Sequence, residues 1–149
     1  MDRAGSRFGG VGGLSLAPQN GFGMTDLELT LAPVPDSVPR ARHRLQALAE
    51  RLDERQLEKL RLLVSEVVGN SVRHGDGDGP IELRITVGGA MVRVEVEDPG
   101  PGFRPAPETG PRDRDQGWGL LLVERLADRW GVVAGRTTLV WFELDRAVG

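Results

Sequence analysis

From residue 26 onward the chain alternates. Leu27, Leu29 and Leu31 fall between Asp26, Glu28 and Thr30, the period-2 pattern of a strand with one buried face. Pro33 and Pro35 end it. Asp36 or Ser37 is placed to cap a helix whose first turn tolerates Pro39. Val38, Ala41, Leu45, Leu48 and Leu52 then recur at helical spacing. A second helix is predicted from about Asp53, with Gln56 as its capping partner. Leu57, Leu60, Val64, Val67, Val68 and Ser71 form its inner face, and Gly75 stands as its stop. After a loop over 76–80, Ile81, Leu83, Ile85 and Val87 make one alternating run and Val92, Val94 and Val96 another. Gly88-Gly89 between them suits a tight hairpin turn. Residues 99–116, rich in proline, glycine and charge, read as a mobile loop. A third helix is predicted from about Trp118 to Arg129, ended by Gly131. Two strands near 131–135 and 138–145, turning at Gly135-Arg136, close the chain.

The order is therefore β-α-α-β-β-loop-α-β-β. Strands that are polar on one face need cover only on the other. The pattern predicts an α/β fold, a two-layer sandwich of a five-stranded mixed sheet with three helices on one face. No internal repeat is visible. Residues 1–23 hold seven glycines and no periodicity, and read as a disordered tail ahead of a domain over 24–149. Met24 is an alternative start. The stretch 8–13 resembles a phosphate loop only superficially, since no strand precedes it and no helix follows.

Composition narrows the chemistry. With 149 residues the chain is long enough to build one core. Its net charge of -3 argues against a nucleic-acid surface, which calls for a basic face. It has no cysteine, which excludes disulfides, thiolate metal sites and thiol nucleophiles. Only His43 and His74 offer imidazoles, so a multi-histidine metal site is excluded as well. No apolar run approaches the ~20 residues of a membrane span, and the N-terminus lacks an apolar signal core. A cytoplasmic protein is expected.

Three clusters carry candidate chemistry. In the first, Glu66, Asn70 and His74 are spaced by four and stack on one helical stripe at the border of the apolar face. A carboxylate there can take a proton from a hydroxyl or a water. An amide oxygen one turn on can ligate Mg²⁺. Gly69 sits mid-helix, at a cost of about 1 kcal/mol relative to alanine, which hints at close packing or ligand approach. In the second, Asp98 continues the inward phase of Val92, Val94 and Val96, and is followed by Gly100 and Gly102. A carboxylate on that phase needs donors, and a purine amino group would serve. In the third, Gly117 and Gly119 open the third helix, a turn whose amides and helix dipole suit an anion. Taken singly, each cluster is also what a solvated helix edge, a strand-ending aspartate or a hinge would show.

Their order and spacing together are more specific. Glu66-x-x-x-Asn70 with His74, Asp98-x-Gly100-x-Gly102 and Gly117-x-Gly119-Leu120 resemble the N, G1 and G2 boxes of the Bergerat-fold (GHKL) ATPases. The chain most resembles their small anti-sigma-factor serine/threonine kinase branch, over about residues 26–145. Ala32-Pro33 before Ser37-Val38 and Ala41-Arg42, and Val140-Trp141-Phe142-Glu143-Leu144 near the end, are similar to the actinobacterial form of that branch. The resemblance implies ATP and Mg²⁺ as cofactors. It assigns Glu66 as general base, Asn70 as the metal ligand and His74 to the same box. It places Asp98 on the adenine amino group with Gly100 and Gly102 shaping the adenine wall. Residues 104–116 would be a lid, with Gly117, Gly119 and Leu120 meeting the phosphates. The family's threonine near adenine has two candidates, Thr137 and Thr138. The lid arginine at the γ-phosphate has two as well, Arg112 and Arg114, though a solvated loop arginine is the plainer account of either.

Within that superfamily a sensor kinase needs a phosphoacceptor histidine on a dimerisation helix. His43 is followed by Arg44 rather than an acidic residue, and no helical hairpin precedes the domain. There is no room for the transducer domain of topoisomerases, Hsp90-like chaperones or mismatch-repair ATPases. Two readings are left. One is a protein serine/threonine kinase acting on an anti-sigma-factor antagonist. The other is an ATP-dependent switch that sequesters a partner such as a sigma factor without phosphotransfer. The presence of Glu66 favours the first, because a binding module needs no base. A homodimer is expected by the same analogy, although no interface stripe stands out.

Overall fold

A computed structural model describes residues 25–74, 79–100 and 118–146. The alternating runs become five strands, β1 (Leu27–Leu31), β2 (Ile81–Val87), β3 (Met91–Asp98), β4 (Arg129–Ala134) and β5 (Thr138–Asp145). The helical runs become α1 (Ser37–Arg44), α2 (Glu54–His74) and α3 (Trp118–Leu126). The strands order as β1-β2-β3-β5-β4. The predicted tail over 1–23, the stop at Gly75 and the loop over 101–116 lie outside the described residues.

Every hydrogen-bonded strand pair is antiparallel, which corrects the mixed sheet expected above. The reason is topological. β3 and β4, joined through one helix, do run in the same direction, but β5 inserts between them and pairs with both. β1 and β2 are joined through two helices, so the chain has turned round by the time it reaches β2.

The apolar positions line up across this sheet. Leu29 faces Leu83, Leu83 faces Val96, and Val96 faces Val140, so one row of the covered face is hydrocarbon throughout. Leu57, Leu60, Leu63, Val64, Val67 and Val68 of α2 cover it and are all fully or almost fully buried. Burying each such side chain contributes roughly 1.5–3 kcal/mol, which is what holds the two layers together.

Local signals behaved unevenly. At the start of α2, the Gln56 amide donates to Asp53 Oδ1 (2.7 Å) and the Asp53 amide donates to Gln56 Oε1 (3.0 Å), the reciprocal capping expected there. At the start of α1 neither candidate caps. Asp36 makes no side-chain capping bond. The Ser37 hydroxyl instead donates back to the Ala32 carbonyl (2.6 Å), tying the helix to the end of β1. The helix also tightens into a 3₁₀ segment at Leu45–Leu48 rather than running to Leu52. Leu45 and Leu48 are three apart and both buried, which suits three residues per turn.

On the face turned away from the helices, the uncovered face in that no described element packs on it, many side chains are charged, with Arg93 and Glu95 buried among them. Arg93 donates to Glu95 and Glu143, Arg84 to Glu95 and Glu97, and Arg129 to Glu143 and Asp145. Burial opposes the charge on Arg84, but Glu95 and Glu97 outweigh it and hold the guanidinium above its ordinary pKa. Asp145, with Glu143, does the same for Arg129 against its own burial. The Arg93 guanidinium lies 4.6 Å from the centre of the Trp141 ring. Gly131 belongs to this face and not to a helix end. It sits inside β4 opposite Trp141, where a β-carbon would come within 2.7 Å of the indole nitrogen. α3 therefore stops at Leu126, and β4 begins two residues before the glycine.

Candidate functional site

The sheet has two ends, and the elements that carry Asn70, Asp98, Gly100 and Thr138 converge on one. β3 finishes there with Asp98, which pairs with Thr138 at the start of β5. β2 begins there, since Glu82 pairs with Glu97. α2 finishes there, because only six residues lie between His74 and Ile81 and Gly79 approaches the Pro99 ring. α3 begins there, because its far end leads within three residues to Arg129, which pairs with Glu143 at the opposite end.

At this end the hydrocarbon row of the covered face gives way to polar groups. Asp98 and Thr138 share the phase of Val96 and Val140, and both are buried, at 7% and 1% exposure. The Gly100 amide donates to Asp98 Oδ1 (2.9 Å), and the Thr138 hydroxyl donates to the Gly100 carbonyl (2.6 Å). The peptide groups of Gly100 are thus fixed from two strands, and the carboxylate is fixed with them. Of the two threonine candidates, Thr138 stands on this face. Thr137 stands on the uncovered face, where its hydroxyl donates to Glu97 (2.8 Å).

The helix supplies the second group. Asn70 is buried, at 5% exposure, near the end of α2. Arg73, three residues on, donates to its Oδ1 (3.3 Å). Glu66, one turn earlier, is half-buried and lines a cavity of about 670 Å³ between α1 and α2, with Arg42, His43, Leu62 and Ser65 among its walls. Glu66 therefore opens towards α1. Gly69, between the two, would let a β-carbon come to 3.4 Å from Arg73 Nη1 and 3.9 Å from Val38. Packing alone does not demand a glycine there.

The third group is the first turn of α3. Helix geometry leaves the amides of Trp118, Gly119 and Leu120 without intrahelical acceptors. The Leu120 side chain itself is in the core, at 6% exposure, so what it can offer a phosphate is its backbone amide. The side chain of His74, and all of Gly102, Arg112, Arg114 and Gly117, lie outside the described residues.

The donor set suits a hard cation held lightly. Among the described residues no group of three or more histidines or acidic side chains is arranged to hold a metal ion. A lone amide oxygen is what Mg²⁺ accepts when water and phosphates supply its other ligands. Sequence reasoning did not single out Arg73 as a neighbour of Asn70, although i,i+3 spacing was a signal for it.

A model of the histidine kinase-like ATPase domain matches residues 31–142, which spans all three groups. The chain belongs to this family. It is also 32% identical over 118 residues to the serine-protein kinase RsbW of Listeria monocytogenes, covering 68% of this chain and 75% of that protein. Within the GHKL superfamily this places the ATPase domain in the anti-sigma-factor kinase branch. The two-layer sandwich is the architecture that membership requires. No helix among the described residues is long and apolar enough to cross a membrane.

Proposed function

We propose that this chain binds Mg-ATP across the end of the sheet where α2 finishes and α3 begins, and transfers the γ-phosphoryl group to a serine or threonine of a protein partner. The partner class is an anti-sigma-factor antagonist, by analogy with the branch to which the chain belongs.

The observation that carries the reading is the buried pair Asp98 and Thr138. A carboxylate and a hydroxyl interrupt an otherwise apolar row, and both engage the one peptide segment at Gly100. Both groups are hydrogen-bonded within the fold, which holds them in place at the end of the apolar row where a polar ligand could be received. A fixed carboxylate beside glycine backbone suits the exocyclic amino group and the face of adenine. The phosphates would then run towards the amides that open α3. Asn70 would hold Mg²⁺ through Oδ1, and the ion would neutralise phosphate charge.

Glu66 would accept the proton of the acceptor hydroxyl. As that oxygen bonds to the γ-phosphorus, the bond from phosphorus to the bridging oxygen breaks, and ADP leaves with the electron pair. Because Glu66 lines the groove between α1 and α2, the acceptor would approach from that side.

The test is transfer of label from [γ-³²P]ATP to the cognate antagonist protein. Label should appear on a serine or threonine of the antagonist and vanish with Glu66→Ala. Nucleotide-dependent capture of a partner without label would replace the kinase reading with that of a sequestering switch.

A further inference from the structure

We infer that Arg73 is a built-in cation that holds the Asn70 amide oxygen until Mg²⁺ takes it, and so sets how much metal the site requires. The inference rests on the role proposed for Asn70.

Arg73 Nη2 donates to Asn70 Oδ1 at 3.3 Å, the atom a metal would use. Asn70 is buried while Arg73 is exposed, so the guanidinium reaches back along α2 to cover the oxygen from the solvent side. Gly69 leaves this path open. A β-carbon there would stand 3.4 Å from Arg73 Nη1, so the guanidinium lies beside the helix backbone at Gly69.

Guanidinium and metal cannot share the oxygen comfortably. Mg²⁺ sits about 2.1 Å from its ligands, so an arginine nitrogen 3.3 Å from the same atom would face a dication within about 5 Å. Metal entry must push Arg73 aside. Arg73 also fixes the oxygen of the carboxamide as the acceptor, which would assist the metal. The two effects oppose each other. A 3.3 Å hydrogen bond is long and orients weakly, whereas like-charge repulsion acts over distance. Competition therefore wins, and removal of the charge should ease metal binding.

The experiment is calorimetric titration of the full chain with ADP across a series of MgCl₂ concentrations and in EDTA. The variants are Arg73→Ala, Arg73→Lys and Asn70→Ala, with circular dichroism to confirm folding. Arg73→Ala should lower the Mg²⁺ concentration for half-maximal enhancement of ADP binding by about fivefold, the scale of an exposed charge interaction. Arg73→Lys, which keeps the charge, should stay within about twofold of the parent chain on the same scale. An unchanged or increased metal requirement in Arg73→Ala overturns the inference. If the parent chain binds no ADP, or Asn70→Ala leaves the Mg²⁺ enhancement intact, the site reading falls and the inference with it. If Asn70→Ala abolishes the enhancement and Arg73→Ala does not shift it, only the inference falls.

Discussion

Asp98 and Thr138 stand directly opposite each other on β3 and β5, and both engage Gly100, one at its amide and the other at its carbonyl. A glycine segment that would otherwise be loose is fixed against two strands. The carboxylate proposed to meet a purine and the backbone proposed to lie along it are thereby positioned together.

Asp98→Ala removes both the proposed adenine contact and the acceptor for the Gly100 amide. Adenine nucleotide affinity should fall by roughly 10–100-fold, the value of a hydrogen bond to a charged group. Calorimetry on a variant shown to be folded checks this. Undiminished affinity would mean the nucleotide does not sit at Asp98.

The two threonines give a paired test. Thr138→Val leaves the Gly100 carbonyl without its buried donor and should destabilise the fold by about 1–2 kcal/mol while weakening nucleotide binding. Thr137→Val acts on the other face, at Glu97, and should leave nucleotide affinity within about twofold, since surface changes away from a site are usually small. Denaturant unfolding and ADP titration on both variants separate the roles. Equal effects on ADP binding would refute the assignment of Thr138.

Glu66→Gln keeps the shape of the side chain and removes its basicity. Phosphotransfer should drop by about 10²–10⁴-fold with ATP affinity little changed. Loss of affinity in step with activity would show that Glu66 binds rather than accepts a proton.

Gly131→Ala tests the uncovered face. The added methyl would meet the Trp141 indole nitrogen at 2.7 Å, and overpacking of this kind costs about 1–3 kcal/mol. Because Arg93 stacks on the same indole, near-UV circular dichroism should change along with the melting temperature. A melting temperature equal to that of the parent chain would show that Trp141 shifts freely.

Much of this molecule was legible in the sequence because its strands obey a strict period of two. Leu27, Leu29, Leu31, Ile81, Leu83, Ile85, Val92, Val94 and Val96 all face the helices as their spacing required. The inward turn of Asp98 followed from the same count. That count, continued along β5 through Val140, Phe142 and Leu144, also selects Thr138 over Thr137, a signal present in the sequence but not used. Pairing partners were less legible. Nothing local to β5 says that it inserts between β3 and β4, and a helix crossover suggests a parallel neighbour by default. Gly131 looked like a helix stop because a glycine after an apolar helix usually is one. Its actual cause, the indole of Trp141, lies ten residues away on another strand. The Arg73–Asn70 contact depends on a side-chain path over Gly69 that spacing permits but does not compel.

Asp98 is proposed to receive the amino group of adenine. In the same pose guanine presents a carbonyl oxygen to the carboxylate, so the two purines should be sharply distinguished. Titration of the full chain with ATP and with GTP in excess Mg²⁺ reads this directly. ATP should bind saturably with Kd below ~1 mM, and GTP more weakly by roughly 10–100-fold. Equal affinity for the two, or no binding of ATP at millimolar concentration, would contradict that role for Asp98.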